Sequence, residues 1–326
     1  MAKITVLGSG GWGLALAITL YTNGHEVKVW SPFQEEVNTL NNTRTNEKLL
    51  KGIYLSENIL ITSDISVAEG CDITVIATPS FAVKQTAQRL SKISDCGFIV
   101  NVAKGFEKES SSRLSEVIKK ELPERQVVVL SGPSHAEEVA RGIPTMLAAA
   151  GEDADSLKIV QRVFSNEYLR VYTNPDIIGV ELGGALKNII AVASGVCDGM
   201  GLGDNSKAAL ITRGLAEMTR LGVSLGAKAN TFSGLTGMGD LIVTCTSPHS
   251  RNHRFGDLVG RGVSVKEALD TVGTVEGYFA CDIAYKLARE NGVDVPIIEL
   301  CHHLLFKNFP VDDIVTTLMT RPFRQE

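Results

Sequence analysis

A glycine-rich turn near the N-terminus constrains the fold of this chain more than any other feature. Residues 3–7 read as a short strand and residues 14–20 have helical character, with Gly8-Ser9-Gly10-Gly11-Trp12-Gly13 between them. Strand, G-x-G-x-x-G turn and helix in this order are typical of a dinucleotide-binding unit. In such a unit Gly8 allows the tight turn, Gly10 lets the backbone approach a pyrophosphate, and Gly13 lets the helix pack close to the strand. The sequence therefore predicts a cofactor pyrophosphate at the start of the first helix.

Length and composition indicate a globular chain of two domains. At 326 residues the chain exceeds what one hydrophobic core usually supports. A hydrophobic content of 44% and a charged content of 21% are ordinary for globular proteins. The net charge of −5 gives no electrostatic footprint for nucleic acid, so we expect no nucleic-acid partner.

The cysteines and the apolar segments bear on the cellular compartment. The six cysteines form no C-x-x-C and no zinc-ligand spacing, so they look like the reduced thiols of a cytoplasmic protein. Charged Lys3 leads directly into a strand, which is unlike a signal peptide. No uncharged apolar stretch is long enough to span a bilayer. We expect a cytoplasmic protein without stable membrane insertion, and a homodimer, although nothing in the sequence determines the oligomeric state.

Apolar strands alternate with helical stretches through the first half of the chain. After the first helix, strand-like runs occupy residues 26–30, 73–77, 98–102, 127–130, 145–150 and 169–172. Such alternation predicts an α/β fold with a doubly wound, mostly parallel sheet of the Rossmann type. In such sheets ligands lie beyond the carboxyl ends of the strands. Lys104, Gly132 and Ser134 come just after predicted strands, so they are candidate site residues.

The end of the second strand normally carries the residue that distinguishes the two nicotinamide cofactors. An acidic side chain there favours NAD, and an arginine nearby favours NADP. The chain has Ser31-Pro32-Phe33 at this point, and Glu35 and Glu36 are expected in the next helix. The choice between NAD(H) and NADP(H) therefore stays open, and we expect modest discrimination between them.

The pattern changes from about Asn174-Pro175 onward. Strand-like alternation nearly disappears, and helical candidates occupy residues 178–197, 206–226, 265–270, 281–291, 297–307 and 311–319. This pattern predicts an all-helical second domain. We place the dinucleotide-binding domain at residues 1–175 and the helical substrate and catalytic domain at residues 176–326.

Lys187 is the most informative residue of the second half. It lies beside Asn188 in an otherwise apolar helical stretch, one turn after Gly183-Gly184. A lysine in such a stretch often extends its ammonium group to the surface. Burial would instead favour the neutral amine and suit the residue to proton transfer, while a buried Asn188 would need hydrogen-bond partners. We interpret the two residues as a catalytic pair.

Residues 234–241 are too rich in glycine for an ordinary helix, so we predict a loop here. They present Asp240, with Thr244 one turn later. Together with residues 250–252, this segment completes the set of candidate site residues.

We predict that Ser250-Arg251-Asn252 is a loop whose side chains can donate hydrogen bonds to a phosphate group. Arg251 offers a planar fork that matches phosphate oxygens. A solvated basic turn is the alternative interpretation of this segment. His249 and His253 have no nearby carboxylate or third histidine, so no metal site is expected.

Six motifs follow one another over nearly the whole chain, at residues 8–13, 101–107, 131–134, 181–188, 237–241 and 250–252. In this order they resemble the NAD(P)-dependent glycerol-3-phosphate dehydrogenases of the bacterial type. The lysine-asparagine helix and the serine-arginine-asparagine segment are much more specific than the glycine turn. Many members of that family have a basic or imidazole residue where this chain has Ser31-Pro32, so a preference for NADP does not carry over.

The resemblance implies reversible conversion of dihydroxyacetone phosphate to sn-glycerol 3-phosphate with NAD(H) or NADP(H), which supplies the backbone of membrane phospholipids. It makes Lys187 the proton donor and acceptor, assisted by Lys104, Asp240 and Asn188. The implied substrate-binding residues are Lys104, Gly132, Ser134, Lys187, Asp240, Ser250, Arg251 and Asn252. The implied cofactor-binding residues are Gly8, Gly10, Gly11, Trp12, Gly13, Lys104, Ala136, Arg251 and Glu276.

Two alternatives remain from the residues. The β-hydroxyacid and 6-phosphogluconate dehydrogenases share the two-domain plan and a helix-borne lysine-asparagine pair, but residues 132–134 and 250–252 favour the glycerol phosphate enzymes. A non-catalytic sensor that binds a dinucleotide would not require an ionisable group at Lys187.

Overall fold

The apolar runs of the first half form strands in the computed structural model, which describes residues 1–322. Residues 323–326, the end of the predicted helical domain, lie outside the described residues. The chain divides into two units, Met1–Glu181 and Leu182–Glu326. The strands are β1 (Lys3–Leu7), β2 (Glu26–Trp30), β3 (Thr45–Asn46), β4 (Leu50–Tyr54), β5 (Leu60–Thr62), β6 (Ile73–Ile76), β7 (Phe98–Asn101), β8 (Val127–Ser131), β9 (Thr145–Ala150) and β10 (Leu169–Asn174).

Helices connect most of these strands. They are α1 (Gly11–Thr22), α2 (Gln34–Thr43), α3 (Ser80–Leu90), α4 (Leu114–Glu121), α5 (Ala136–Val139) and α6 (Ala154–Phe164), with a short 3₁₀ helix at Ile65–Ala68.

Eight strands form one sheet in the order β10-β9-β8-β7-β6-β1-β2-β5. Neighbouring strands pair in parallel except β8 and β9, so β9 and β10 run against the other six. The predicted mostly parallel, doubly wound sheet is confirmed. The short strands β3 and β4 form a separate antiparallel pair that the sequence analysis did not predict.

Apolar side chains cover both faces of the sheet. Ile4 and Val6 of β1 belong to an apolar cluster that includes Leu16 of α1, whereas Leu7 belongs to a second cluster that includes Val83 of α3. Strands buried on both faces read as continuous apolar runs, which is why they could be recognised in the sequence.

The carboxyl ends of β1, β2 and β6 lie side by side. The Gly8 amide donates to the Trp30 carbonyl oxygen at 2.8 Å, and the Ala77 amide donates to the Leu7 carbonyl oxygen at 2.8 Å. The chain leaves β1 toward β2 on one side and returns through β6 on the other. This is the switch point at which open parallel sheets bind ligands.

The second half of the chain is helical, as predicted. Its helices are α7 (Ile177–Gly199), α8 (Gly203–Ser224), α9 (Ala229–Phe232), α10 (Asp240–Thr246), α11 (Arg251–Gly260), α12 (Val265–Val272), α13 (Glu276–Glu290), α14 (Pro296–Phe306) and α15 (Asp313–Met319), with a π-helix at Leu235–Gly239.

Helix α7 is long and apolar. Within the described residues it alone is long and apolar enough to cross a bilayer by length and composition, which the sequence analysis did not expect of any stretch. It carries Glu181 and Lys187, and 83% of its apolar window is buried inside the structure. A core helix of a folded domain has these same properties.

Candidate active site

The turn between β1 and α1 brings the backbone of three elements close together. Gly8 has a φ of +126°, and a β-carbon there would stand 2.7 Å from the Ala77 carbonyl oxygen. A β-carbon on Gly13 would collide with the Gly8 carbonyl oxygen, whereas Gly10 has no atom within 4 Å of that position. Gly8 and Gly13 therefore serve the turn and the packing of α1, and Gly10 leaves open space over the backbone.

The start of α1 has the properties of an anion site. Gly10 is its N-cap, and no side chain of the described residues caps the helix there. The first amide groups of a helix have no partner within the helix and carry its positive end. The indole Nε1 of Trp12 is buried and has no hydrogen-bond partner among the described residues. These donors fit the pyrophosphate of a dinucleotide, and Trp12 would gain an acceptor from a bound ligand.

Lys104, Gly132 and Ser134 come together past the ends of β7 and β8. Lys104 Nζ donates to the Gly132 carbonyl oxygen at 2.9 Å and to Ser134 Oγ at 3.4 Å. Ser134 Oγ also donates to the Gly132 carbonyl oxygen at 2.9 Å. Ala136 begins α5, and its β-carbon lies 3.5 Å from where a β-carbon on Gly11 would stand. The structure thus groups a positive charge with neutral donors at one edge of the sheet.

The ammonium group of Lys187 lies in a buried polar cluster. Its Nζ is 2.7 Å from Asp240 Oδ1 and donates to Thr244 Oγ1 at 2.5 Å. Thr244 Oγ1 in turn donates to the Asp240 carbonyl oxygen at 2.6 Å. Lys187 is 5% exposed and Asp240 is 1% exposed, so the alternative of an ammonium group extended to the surface is wrong.

Local backbone geometry places Asp240 opposite Lys187. A β-carbon on Gly183 would stand 2.6 Å from the Thr236 carbonyl oxygen, so α7 can approach the following segment only because glycine is there. That segment is a π-helix, Leu235–Gly239, so the prediction of a loop is wrong, although the segment is no ordinary α-helix. Asp240 is the first residue of α10 and Thr244 lies one turn later. Both side chains therefore project from the same face.

The side chains of Asn188 and Asn252 form a chain of amides. Asn252 Nδ2 donates to Asn188 Oδ1 at 2.9 Å, and the Gly277 amide donates to Asn252 Oδ1 at 2.9 Å. Asn188 Nδ2 donates to the Gly184 carbonyl oxygen at 3.3 Å. The buried amide of Asn188 therefore has the partners that the sequence analysis required. Glu276 lies beside Gly277 as the first residue of α13.

The interpretation of Ser250-Arg251-Asn252 as a loop is wrong. Ser250 is the N-cap of α11, and its Oγ accepts a hydrogen bond from the His253 amide at 3.2 Å. Arg251 and Asn252 form the first turn of the helix. Arg251 is exposed, and its guanidinium makes no hydrogen bond to another residue in the part of the chain that the structure describes. A planar guanidinium group at the positive end of a helix can bind a phosphate group.

Comparison with known proteins agrees with this arrangement. A family model described as the N-terminus of NAD-dependent glycerol-3-phosphate dehydrogenase matches residues 3–157, and one described as its C-terminus matches residues 176–316. The chain belongs to this family.

Relatives within the family cover the full length of the chain. A glycerol-3-phosphate dehydrogenase [NAD(P)+] of Moorella thermoacetica is 50% identical over 99% of this chain and 97% of its own length. One from Clostridium perfringens is 48% identical over 100% of this chain and 99% of its own length. The crystal structure of a glycerol-3-phosphate dehydrogenase from Coxiella burnetii has a TM-score of 0.94 at 37% identity, covering 98% of this chain and 99% of that one. The interpretation as a glycerol-3-phosphate dehydrogenase is therefore preferred over the interpretation as a β-hydroxyacid dehydrogenase.

Sequence analysis named one carboxylate near the glycine turn but did not connect it with the end of β2. Glu36 belongs to α2, as expected, but its Oε2 accepts hydrogen bonds from Ser9 Oγ at 2.7 Å and from Ser31 Oγ at 2.6 Å. Its position in the next helix concealed its reach back to the end of β2. No sequence signal other than its spacing from the glycine turn could have identified it.

Sequence analysis missed a second group, which surrounds His253. Asp198 at the end of α7 lies 2.7 Å from His253 Nε2 and 2.7 Å from Lys207 Nζ. Burial raises the pKa of the Asp198 carboxyl, but hydrogen bonds from Lys207 and His253 outweigh it, so this pKa lies below its ordinary value. Asp198 therefore stays charged near neutral pH and holds α11 through His253. Among the described residues no group of three or more metal-ligating side chains occurs.

Proposed function

We propose that the protein interconverts dihydroxyacetone phosphate and sn-glycerol 3-phosphate with NAD(H) or NADP(H). The observation that carries the proposal is the buried Lys187–Asp240–Thr244 cluster in a chain that matches both family models. A buried ammonium group held by a carboxylate is costly to maintain for packing alone, and it has the donor that reduction of a ketone requires.

Lys187 is proposed as the proton donor and acceptor. When bound, NAD(P)H supplies the hydride that adds to the carbonyl carbon of the substrate. Lys187 Nζ then gives a proton to the carbonyl oxygen as negative charge develops there, and in the reverse direction it takes that proton back. Asp240 and Thr244 accept hydrogen bonds from the ammonium group and so fix its position.

Lys104 and Arg251 are proposed to hold the charged substrate. Lys104, oriented by Gly132 and Ser134, supplies a second positive group. Arg251 supplies a planar fork for phosphate oxygens, and Ser250 holds that helix turn in place. Asn188 and Asn252 maintain the position of each other, and Asn252 retains a second N–H on Nδ2. The phosphate lies away from the reacting carbon, so its binding energy can position the carbonyl group.

The glycine turn is proposed to bind the cofactor. Gly8 and Gly13 shape the turn, Gly10 leaves room for the pyrophosphate with Gly11 next to it, and Trp12 offers its indole N–H. Ala136 beside Gly11 extends this surface. The resemblance to the family adds Arg251 and Glu276 to the residues proposed to bind the cofactor. In functional terms residues 1–175 are the dinucleotide-binding domain and residues 176–326 the substrate and catalytic domain.

The cellular role follows from the product. We propose a cytoplasmic homodimer that supplies glycerol 3-phosphate to phospholipid synthesis and makes no stable insertion into membranes. The apolar helix α7 belongs to the protein core in this proposal, because its charged Lys187 is held by Asp240 rather than exposed to lipid.

An oxidation assay tests the proposal. NADH and NADPH oxidation is measured with dihydroxyacetone phosphate, with dihydroxyacetone, with 3-keto acids and without a ketone. We expect rapid oxidation only with dihydroxyacetone phosphate. Faster oxidation with a keto acid would favour a hydroxyacid dehydrogenase, and tight NADH binding without turnover on any ketone would favour a dinucleotide sensor.

A further inference from the structure

The carboxylate of Glu36 joins the glycine turn to the end of β2. Ser9 lies between the first two glycines of the turn, and Ser31 directly follows the last residue of β2. Both hydroxyl groups are buried in the structure and both donate to Glu36 Oε2, at 2.7 and 2.6 Å. Glu36 itself is in the first turn of α2 and reaches back to this point. The carboxylate therefore occupies the carboxyl edge of the sheet between β1 and β2.

One oxygen of Glu36 remains available to a ligand. The two serines use only Oε2, and no described residue donates a hydrogen bond to Oε1. Glu36 is half-buried and takes part in no ion pair among the described residues. Its negative charge is therefore neither neutralised nor removed from the surface, and Oε1 can accept from two hydroxyl groups.

The position matches the one at which a dinucleotide presents its adenosine ribose. With the pyrophosphate at the start of α1, the ribose lies beyond the end of the second strand, where a carboxylate accepts from the ribose hydroxyl groups. A 2′-phosphate in the same place carries nearly two negative charges at neutral pH. Like charges placed together without compensation cost several kcal/mol.

We infer that the Glu36 carboxylate binds the adenosine ribose and repels a 2′-phosphate. The protein therefore uses NAD(H) in preference to NADP(H). This inference rests on the proposed NAD(P)H-dependent function and replaces the modest discrimination expected from Ser31-Pro32. Ser31 acts through Glu36, since its hydroxyl group fixes the carboxylate rather than facing the ribose.

Binding of fragments that cannot react tests the inference separately from catalysis. Affinities of ADP-ribose and its 2′-phosphate are measured by calorimetry on the full-length protein and on the Glu36→Gln variant. Glutamine keeps an oxygen that accepts from both serines but has no charge. We expect the parent to bind ADP-ribose at least about 100-fold more tightly than the phosphorylated form, and Glu36→Gln to reduce this ratio at least about tenfold.

Two further variants make the outcome decisive. Glu35→Gln removes a neighbouring charge in the same helical turn whose side chain makes no described hydrogen bond, so it should leave the ratio unchanged. Glu36→Asp keeps the charge but shortens the reach, so it should weaken ADP-ribose binding without improving binding of the phosphorylated form. This variant also serves if Glu36→Gln does not fold.

A parent ratio near one, or an equal loss for both ligands in Glu36→Gln, would overturn the inference. The same experiment leaves the proposed function untouched, because neither ligand has a nicotinamide ring. Failure to reduce dihydroxyacetone phosphate with intact ADP-ribose selectivity would contradict the proposed function alone.

Discussion

At the residue scale, Lys187 and Asp240 are 53 positions apart in the sequence and 2.7 Å apart in space. The sequence identified Lys187 because a charged residue interrupts an apolar helix, and it identified Asp240 because glycines surround it. It could not reveal that the two side chains meet, since that contact depends on how α7 crosses the π-helix segment. The role of Thr244 in orienting Lys187 also emerges only from the three-dimensional arrangement.

Lys187→Ala should lower the turnover number by about 10²–10⁴-fold, because it removes the proposed proton donor. Cofactor binding should change little. The variant also leaves Asp240 buried without its cation, which costs about 3–5 kcal/mol of stability. Steady-state rates, NADH binding and thermal unfolding measure the three effects.

The double variant Lys187→Met with Asp240→Asn separates catalysis from stability. It removes both charges and keeps similar volumes, so thermal stability should return toward that of the parent while turnover stays low. A variant at position 187 with near-normal turnover would remove Lys187 from the mechanism.

Arg251→Lys should raise the KM for dihydroxyacetone phosphate about tenfold or more, because it keeps the charge but loses the planar fork. Unfolding free energy should change by no more than about 0.5 kcal/mol, since Arg251 is exposed. The kcat/KM for non-phosphorylated dihydroxyacetone should fall much less. Comparing kcat/KM for the two substrates isolates the contribution of the phosphate.

Arg254→Lys is the matched control for Arg251→Lys. Arg254 is also exposed on α11, three positions further along the helix. The Arg254→Lys substitution should leave kcat and KM for both substrates unchanged. An equal fractional loss for both substrates in Arg251→Lys would mean that Arg251 does not bind the substrate phosphate.

At the element scale, the strands buried on both faces could be predicted well. β2 and β9 have the expected bounds because their apolar runs end sharply at turn residues. The hairpin of β3 and β4 was missed because its strands are short and largely exposed. Ser250 was a helix N-cap of the preferred residue type, but its neighbours Arg251 and Asn252 made the segment look like a loop.

Helix α14 has an unusual cap whose effect depends on pH. Glu217 of α8 is 2% exposed, and its carboxylate accepts hydrogen bonds from the Ile297 amide at 2.8 Å and the Ile298 amide at 3.1 Å. Burial raises the pKa of Glu217 to about 7 from its ordinary 4.5, although these two amides oppose the rise. The folded state therefore binds a proton more tightly than the unfolded state does.

The free energy of unfolding should consequently fall as pH rises from about 4.5 to about 7. A pKa of about 7 in the folded state and 4.5 in the unfolded state corresponds to about 3 kcal/mol, fully present below the unfolded pKa and lost above the folded pKa. Denaturant unfolding of the parent and of Glu217→Gln is measured between pH 4 and 8. The parent should lose this stability relative to the variant as pH rises, because glutamine stays neutral at every pH.

Glu290→Gln provides the control for the Glu217 experiment. Glu290 is exposed at the end of α13, so its replacement should leave the pH dependence of the parent intact. A parent curve that matches the Glu217→Gln curve at every pH would show that Glu217 does not titrate in this window.

At the scale of the whole molecule, the division into a sheet-containing half and a helical half was visible in the change of periodicity near residue 175. The order of the strands in the sheet was not visible in the sequence. The reversed direction of β9 and β10 depends on long-range pairing, which leaves no local pattern. Except for Ala136 and Glu276, the candidate residues came from six short motifs. Glu36, Asp198 and Thr244 contact Ser9, His253 and Lys187, which are distant from them in the sequence. Motifs therefore identified the candidate groups, and the fold identified the residues that hold them.

Hydride transfer to the substrate carbonyl is the central claim, and isotope transfer tests it most directly. The protein is incubated with dihydroxyacetone phosphate and NADH that is doubly deuterated at C4 of the nicotinamide, and the product is analysed by mass spectrometry and NMR. We expect one glycerol 3-phosphate for each NADH oxidised, with one deuterium at C2 and none lost to water. Oxidation of NADH without this product, or a product without deuterium at C2, would contradict the account.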